Sequence, residues 1–158
     1  MNGRTGSAWP VAGFAAALHV ALIVAVFGFV SLFADAEPVP DPAAGRLVGP
    51  LIVAAAVAAL LVLLGLGLAR GIRPLSLAGL ALLATWLAGA VAGTIAYAIA
   101  TGTLLAAAIF AFSFMSIGFG VIIPLTAAPV ALLASVTVRA QQGGIDRPRW
   151  PWERDDEE

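Results

Sequence analysis

The order of apolar and polar positions divides the chain into four charge-free blocks separated by short polar breaks. Residues 1–8 are polar, and Arg4 is their one charged side chain. No position from Trp9 to Ala34 is charged, and these 26 residues reach about 39 Å at 1.5 Å per helical residue. One helix of that length crosses the ~30 Å hydrocarbon layer with its ends in the interfaces. The stretch from Ala34 to Pro50 breaks it, because Pro38, Pro40 and Pro42 favour extended, polyproline-like backbone. A second block runs over 51–69 and stops at Arg70-Gly71-Ile72-Arg73-Pro74, a short basic turn closed by proline. The third covers 75–100, with Thr101-Gly102-Thr103 as the next turn.

The last block, Leu104 to Val138, holds 35 uncharged residues, about 52 Å if wholly helical. That is too long for one span and too short for two. Gly118, Gly120, Pro124 and Pro129 interrupt it, which predicts a kinked helix or a helix preceded by an interfacial or re-entrant piece. The pattern predicts an all-α integral membrane four-helix bundle whose last helix is long and Pro/Gly-kinked. Its spans cover about 9–34, 51–69, 75–100 and 104–138, between a short N-terminal segment, 1–8, and a flexible tail, 139–158.

Composition supports the membrane reading. Of 158 residues, 61% are apolar and 11% charged, with mean hydropathy +1.03; soluble domains carry about 45–50% and about 25%. A chain this small cannot hide the surplus in one core, which excludes an ordinary soluble enzyme and a disordered chain alike. Cysteine is absent, so there is no disulfide, thiolate metal site or thiol nucleophile. A net charge of −1 provides no field to draw nucleic acid. All eight basic residues are arginine. With abundant Ala, Gly and Val, this resembles the composition of high-GC bacterial proteins.

Arginine placement sets the expected topology. With four spans and the N-terminus inside, seven arginines fall on the cytoplasmic side and only Arg46 outside, as the positive-inside rule asks. Splitting the last block in two would move four arginines outside. The expected location is therefore the cytoplasmic membrane, multi-pass, with both termini cytoplasmic. Ala34-Asp35-Ala36 has the form of a signal-peptidase site. The first block, however, exceeds the about 7–15 residues of a secretory h-region, so it is expected to stay as a helix. No internal repeat supports an inverted-repeat transporter.

Only one titratable residue, His19, sits deep in a block, about 15 Å beyond Trp9. It is either a proton relay or haem or metal ligand, or a neutral imidazole hydrogen-bonded across a helix contact. Thr85, Tyr97, Ser113 and Ser116 are the expected partners. No acid or base shares the spans, so the structural role is favoured. A metal site needs at least three good ligands. A Ser–His dyad using Ser31, Ser113 or Ser116 lacks an orienting group, and residues 116–120 do not form a nucleophile elbow. No catalytic residue, metal or cofactor is expected.

Ala81, Thr85, Gly89 and Gly93 recur every fourth residue, and Ala84, Ala88, Ala92, Ala96 and Ala100 form a second small stripe. Such faces let helix backbones approach closely, as the hub of the chain's own bundle or as a homodimer contact. The Pro/Gly positions of the last block either open a solute site, as discontinuous helices do, or are tolerated in lipid. Asp35, Glu37 and Asp41, set against Arg46, give a mildly acidic connector. The tail offers Arg147, Arg149, Trp150 and Trp152 for docking at a headgroup layer or a partner.

The four-span layout and the tail Pro148-Arg-Trp-Pro-Trp-Glu-Arg-Asp-Asp resemble small membrane proteins of high-GC bacteria grouped as domains of unknown function. That resemblance brings no functional residues. Small multidrug exporters carry a carboxylate in the first helix, and fluoride channels carry arginine-marked, asparagine-bearing helices; the chain has neither. The expected function is a non-enzymatic accessory or scaffolding subunit acting through helix packing, with the bilayer, a homodimer or a larger complex as partner. The alternative is a channel or transporter for a small neutral or lipophilic solute using the broken fourth helix.

Overall fold

The computed structural model describes residues 8–35, 37–39 and 41–142. Among them the chain is all-helical: α1 is Ala8–Ala34, α2 Val48–Ala69, α3 Pro74–Thr101, α4 Leu104–Ser116 and α5 Ile122–Gln142. Two 3₁₀ turns, Pro42–Ala44 and Phe119–Val121, lie between them. Four helices are long and apolar enough to cross a membrane, and α4, with 13 residues, is not. Many large apolar side chains point outward, Phe14, Phe33, Leu75 and Ile117 among them, as a lipid-facing surface requires.

The turns follow from local chemistry. At the end of α2 the amide of Gly71 donates to the Leu68 carbonyl and that of Ile72 to Gly67. This is a Schellman motif, and it needs the positive φ that Gly71 supplies (67°). Pro74 then opens α3, where its missing N–H costs no helical bond. α3 stops at Gly102, which is left-handed and donates to the Ala98 carbonyl at 2.8 Å.

The bundle changes membership along its axis. At the end carrying the α2–α3 turn, the core joins Ala8, Ala12 and Ala15 of α1 to Leu60 and Leu64 of α2. Leu77 and Ala81 of α3 and Ala127 to Val138 of α5 complete it. At the other end, α4 replaces most of α1: Ala107, Phe114 and Met115 pack with Ile52 and Ala56 of α2 and with Ala96 and Tyr97 of α3. Beyond Ile23 no α1 side chain is fully buried.

The last uncharged block is a single traverse in two pieces. Phe110 stacks on Tyr97, Ala111 lies by Gly93 and Met115 by Gly89, so α4 runs antiparallel to the C-terminal half of α3. α5 continues in the same sense along the N-terminal half. The interruption is sharper than a kink: the chain leaves the helix at Ile117, passes Gly118 in extended backbone and restarts through the 3₁₀ turn. Gly118 and Gly120 sit in the break. Pro124 falls in the first turn of α5, where its N–H is not needed, and the helix runs on through Pro129.

Candidate functional site

Two places bring polar chemistry into contact with the apolar bundle. The first is His19, fully buried on the face of α1 that carries Ala12, Ala15, Ala16 and Ile23. Its Nδ1 lies 3.3 Å from Thr126 Oγ1 of α5. Thr126 was not among the expected partners. Of those, Thr85 donates to its own helix at the Ala81 carbonyl, and Tyr97 is engaged with Asp41. The Thr126 hydroxyl donates to the Ile122 carbonyl at 2.8 Å. With that proton committed, its oxygen accepts from Nδ1–H, leaving Nε2 as a buried acceptor without a partner among the described residues.

This geometry sets the expected cost of removing the ring. The His19–Thr126 bond is one interhelical contact, worth about 0.6–1.7 kcal/mol, and its loss is partly offset because the orphaned Nε2 goes too. His19→Leu is therefore expected to lower the melting temperature in detergent only slightly, and Thr126→Val likewise. A collapse of the fold in either variant would contradict this.

The second place is the connector between α1 and α2. Asp41 caps the Pro42–Ala44 turn, accepting from the Ala43 amide at 2.9 Å through Oδ1. Its Oδ2 accepts from the Tyr97 hydroxyl at 2.7 Å, across 56 residues of chain. Phe110 stacks on Tyr97 with ring centroids 4.4 Å apart, which fixes the phenol. The connector is thus a strap clipped to the end of α3. The Tyr97 hydroxyl, and after it the Ala43 amide, hold the Asp41 carboxyl below the usual carboxylate range. The clip is complete above that range and is lost as pH falls through the depressed value. An NMR titration should find Asp41 ionising below ordinary aspartates, and Tyr97→Phe should raise its midpoint; coincident midpoints would refute the clip.

Beneath the strap, α1 and α2 diverge. At the opposite end they meet tightly: the Trp9 ring covers Gly65, where an added Cβ would come within 2.7 Å of it. Toward the strap the facing positions of α2 are Ala54 and Ala58, too small to fill the gap. The result is a cavity of about 1130 Å³ walled by Val20, Val24 and Phe27 on one side and Val53, Ala54 and Val57 on the other. Asp41 and Arg46 stand at its mouth. A second cavity, about 940 Å³, lies on the α4 side of the strap and shares Pro38, Asp41 and Phe114 with the first. Among the described residues, Asp35, Glu37 and Asp41 do not gather into a group able to hold a metal ion.

Of the remaining residues singled out by sequence, Ala81, Thr85, Gly89 and Gly93 are all buried along one face of α3. Of the second stripe, Ala84, Ala88 and Ala92 are half-buried, Ala96 is buried and Ala100 is exposed. Arg147, Arg149, Trp150 and Trp152 lie outside the described residues. The strap, its clip and the cavity were not anticipated. Their only sequence signal is a lone tyrosine placed near the end of a span, facing a connector rich in proline and acid.

Comparison with known proteins yields one match: the sequence model of a family of unknown function, DUF6121, covers residues 1–158. No curated protein matches the chain. No solved structure does either.

Proposed function

From the premise that the chain belongs to DUF6121, a family that supplies no activity to inherit, we propose that this multi-pass membrane protein is non-enzymatic and works as an accessory or scaffolding subunit through helix packing. The observation that supports the reading is where the interior polar groups are spent. Thr85, Thr94, Thr126 and Ser135 each donate to the carbonyl four residues back in their own helix, which is how hydroxyls are satisfied without a partner or solute. They form no chain of groups across the bilayer. The orientation we propose puts both termini in the cytoplasm, supported by Arg70 and Arg139 lining one cavity at the α2–α3 turn while Arg46 sits at the other end. A reporter fused at residue 158 and active only outside the cytoplasm would refute it.

The test is purification of the full chain from native membranes in mild detergent. The expected result is a stoichiometric membrane partner or a second copy. Reconstituted liposomes that show saturable uptake of a lipophilic solute, lost on Pro124→Ala, would instead establish transport through the interrupted fourth traverse.

A further inference from the structure

We propose that the cavity between α1 and α2 is a binding site for one phospholipid with a primary-amine zwitterionic headgroup, phosphatidylethanolamine, from the leaflet on the strap side. The walls suit an acyl chain. From Gly49 at the mouth to Leu61 at the far end the cavity follows 12 residues of α2, about 18 Å. That depth slightly exceeds half of the ~30 Å hydrocarbon layer, the depth one leaflet's chain occupies. The lining along this length is Val, Ile, Ala, Leu and Phe, with Gly49 and Pro50 at the mouth, and Val20, Val24, Ala54 and Ala58 on its walls are exposed on the outside of the bundle.

The mouth selects the headgroup. It carries one cation and one anion, Arg46 and Asp41. Arg46 has no ion-pair partner among the described residues, and a guanidinium matches phosphate oxygens in a two-pronged geometry. Asp41 accepts one hydrogen bond at each oxygen, which leaves lone pairs for an ammonium N–H. A phosphate–ammonium zwitterion complements this pair of charges. Phosphatidylglycerol has no cation for Asp41, and the quaternary amine of phosphatidylcholine has no N–H to donate.

Native mass spectrometry of the full chain in mild detergent, with dioleoyl-phosphatidylethanolamine and dioleoyl-phosphatidylglycerol added in equal amounts, tests the site. One phosphatidylethanolamine should be retained preferentially. Arg46→Gln should weaken its retention roughly tenfold, the size of one lost charge-assisted contact. Ala58, exposed on the cavity wall, can take a larger side chain into open space. Ala58→Trp should therefore abolish retention with the melting temperature unchanged, while Arg139→Gln at the opposite end should leave it intact. Equal retention of both lipids by the natural protein, or retention insensitive to Arg46→Gln, overturns the proposal. A photo-crosslinking residue at position 57 in native membranes should capture lipid; capture of another protein's helix, or of this chain's residues 143–158, also overturns it.

Discussion

Replacing Gly89 and Gly93 together by leucine is expected to lower the melting temperature in detergent by a large margin. A Cβ at Gly89 would stand 2.7 Å from the Met115 methyl and 2.9 Å from its sulfur, with Ile52 at 3.3 Å. At Gly93 it would meet Ile52 at 3.0 Å and Ala111 at 3.2 Å. Leucine adds three further carbons where even the first is crowded. Overpacking costs about 1–3 kcal/mol per site, and lipid returns nothing, being as apolar as the bundle. The two costs should add less than fully, since both sites press on Ile52. Leu83→Ile, on the exposed side of the same helix, should change nothing. A double variant as stable as the natural protein would mean that α2 and α4 do not rest on this face.

Gly120→Ala is expected to destabilise out of proportion to one methyl group. Its Cβ would lie 2.6 Å from the carbonyl oxygen of Phe114 and 2.6 Å from the ring of the same residue. The ring can swing, but the carbonyl belongs to the last turn of α4, so the two halves of the fourth traverse must part. The expected loss is about 1–3 kcal/mol, read as a lowered melting temperature. Gly118→Ala is the matched control: its Cβ finds nothing closer than 3.4 Å, an ordinary contact. Equal losses at the two glycines would show that the break is not held by close packing at Gly120.

How far the molecule could be read beforehand varies with the range of the interaction. Charge-free runs of span length dictate four traverses because a bilayer has one thickness. The excess length of the last run, together with Gly118 and Gly120, announces a disruption there. Its form was less legible. Whether a helix bends or stops depends on what packs beside it, here the Phe114 carbonyl and ring against Gly120. The partner of His19 was missed for a related reason: the position of Thr126 is set by where α5 restarts after the break. The Asp41–Tyr97 bond joins residues 56 apart, and no local pattern encodes such a pairing. The cavity under the strap depends on α1 leaning away from α2, a property of two helices jointly.

The interrupted traverse also bears on the order in which the protein is made. Chains are delivered N-terminus first. When α3 has been synthesised, Ile52 of α2 is available to settle beside Gly93, but Met115 and Ala111 do not yet exist. One flank of the glycine face is then bordered only by lipid, open to any passing helix drawn to small residues. The link to the segment that covers it is Gly102 and Thr103, two residues and no more. The shortest connection between α-helices thus precedes the piece that seals the chain's stickiest surface, and nascent α3 is unguarded only briefly.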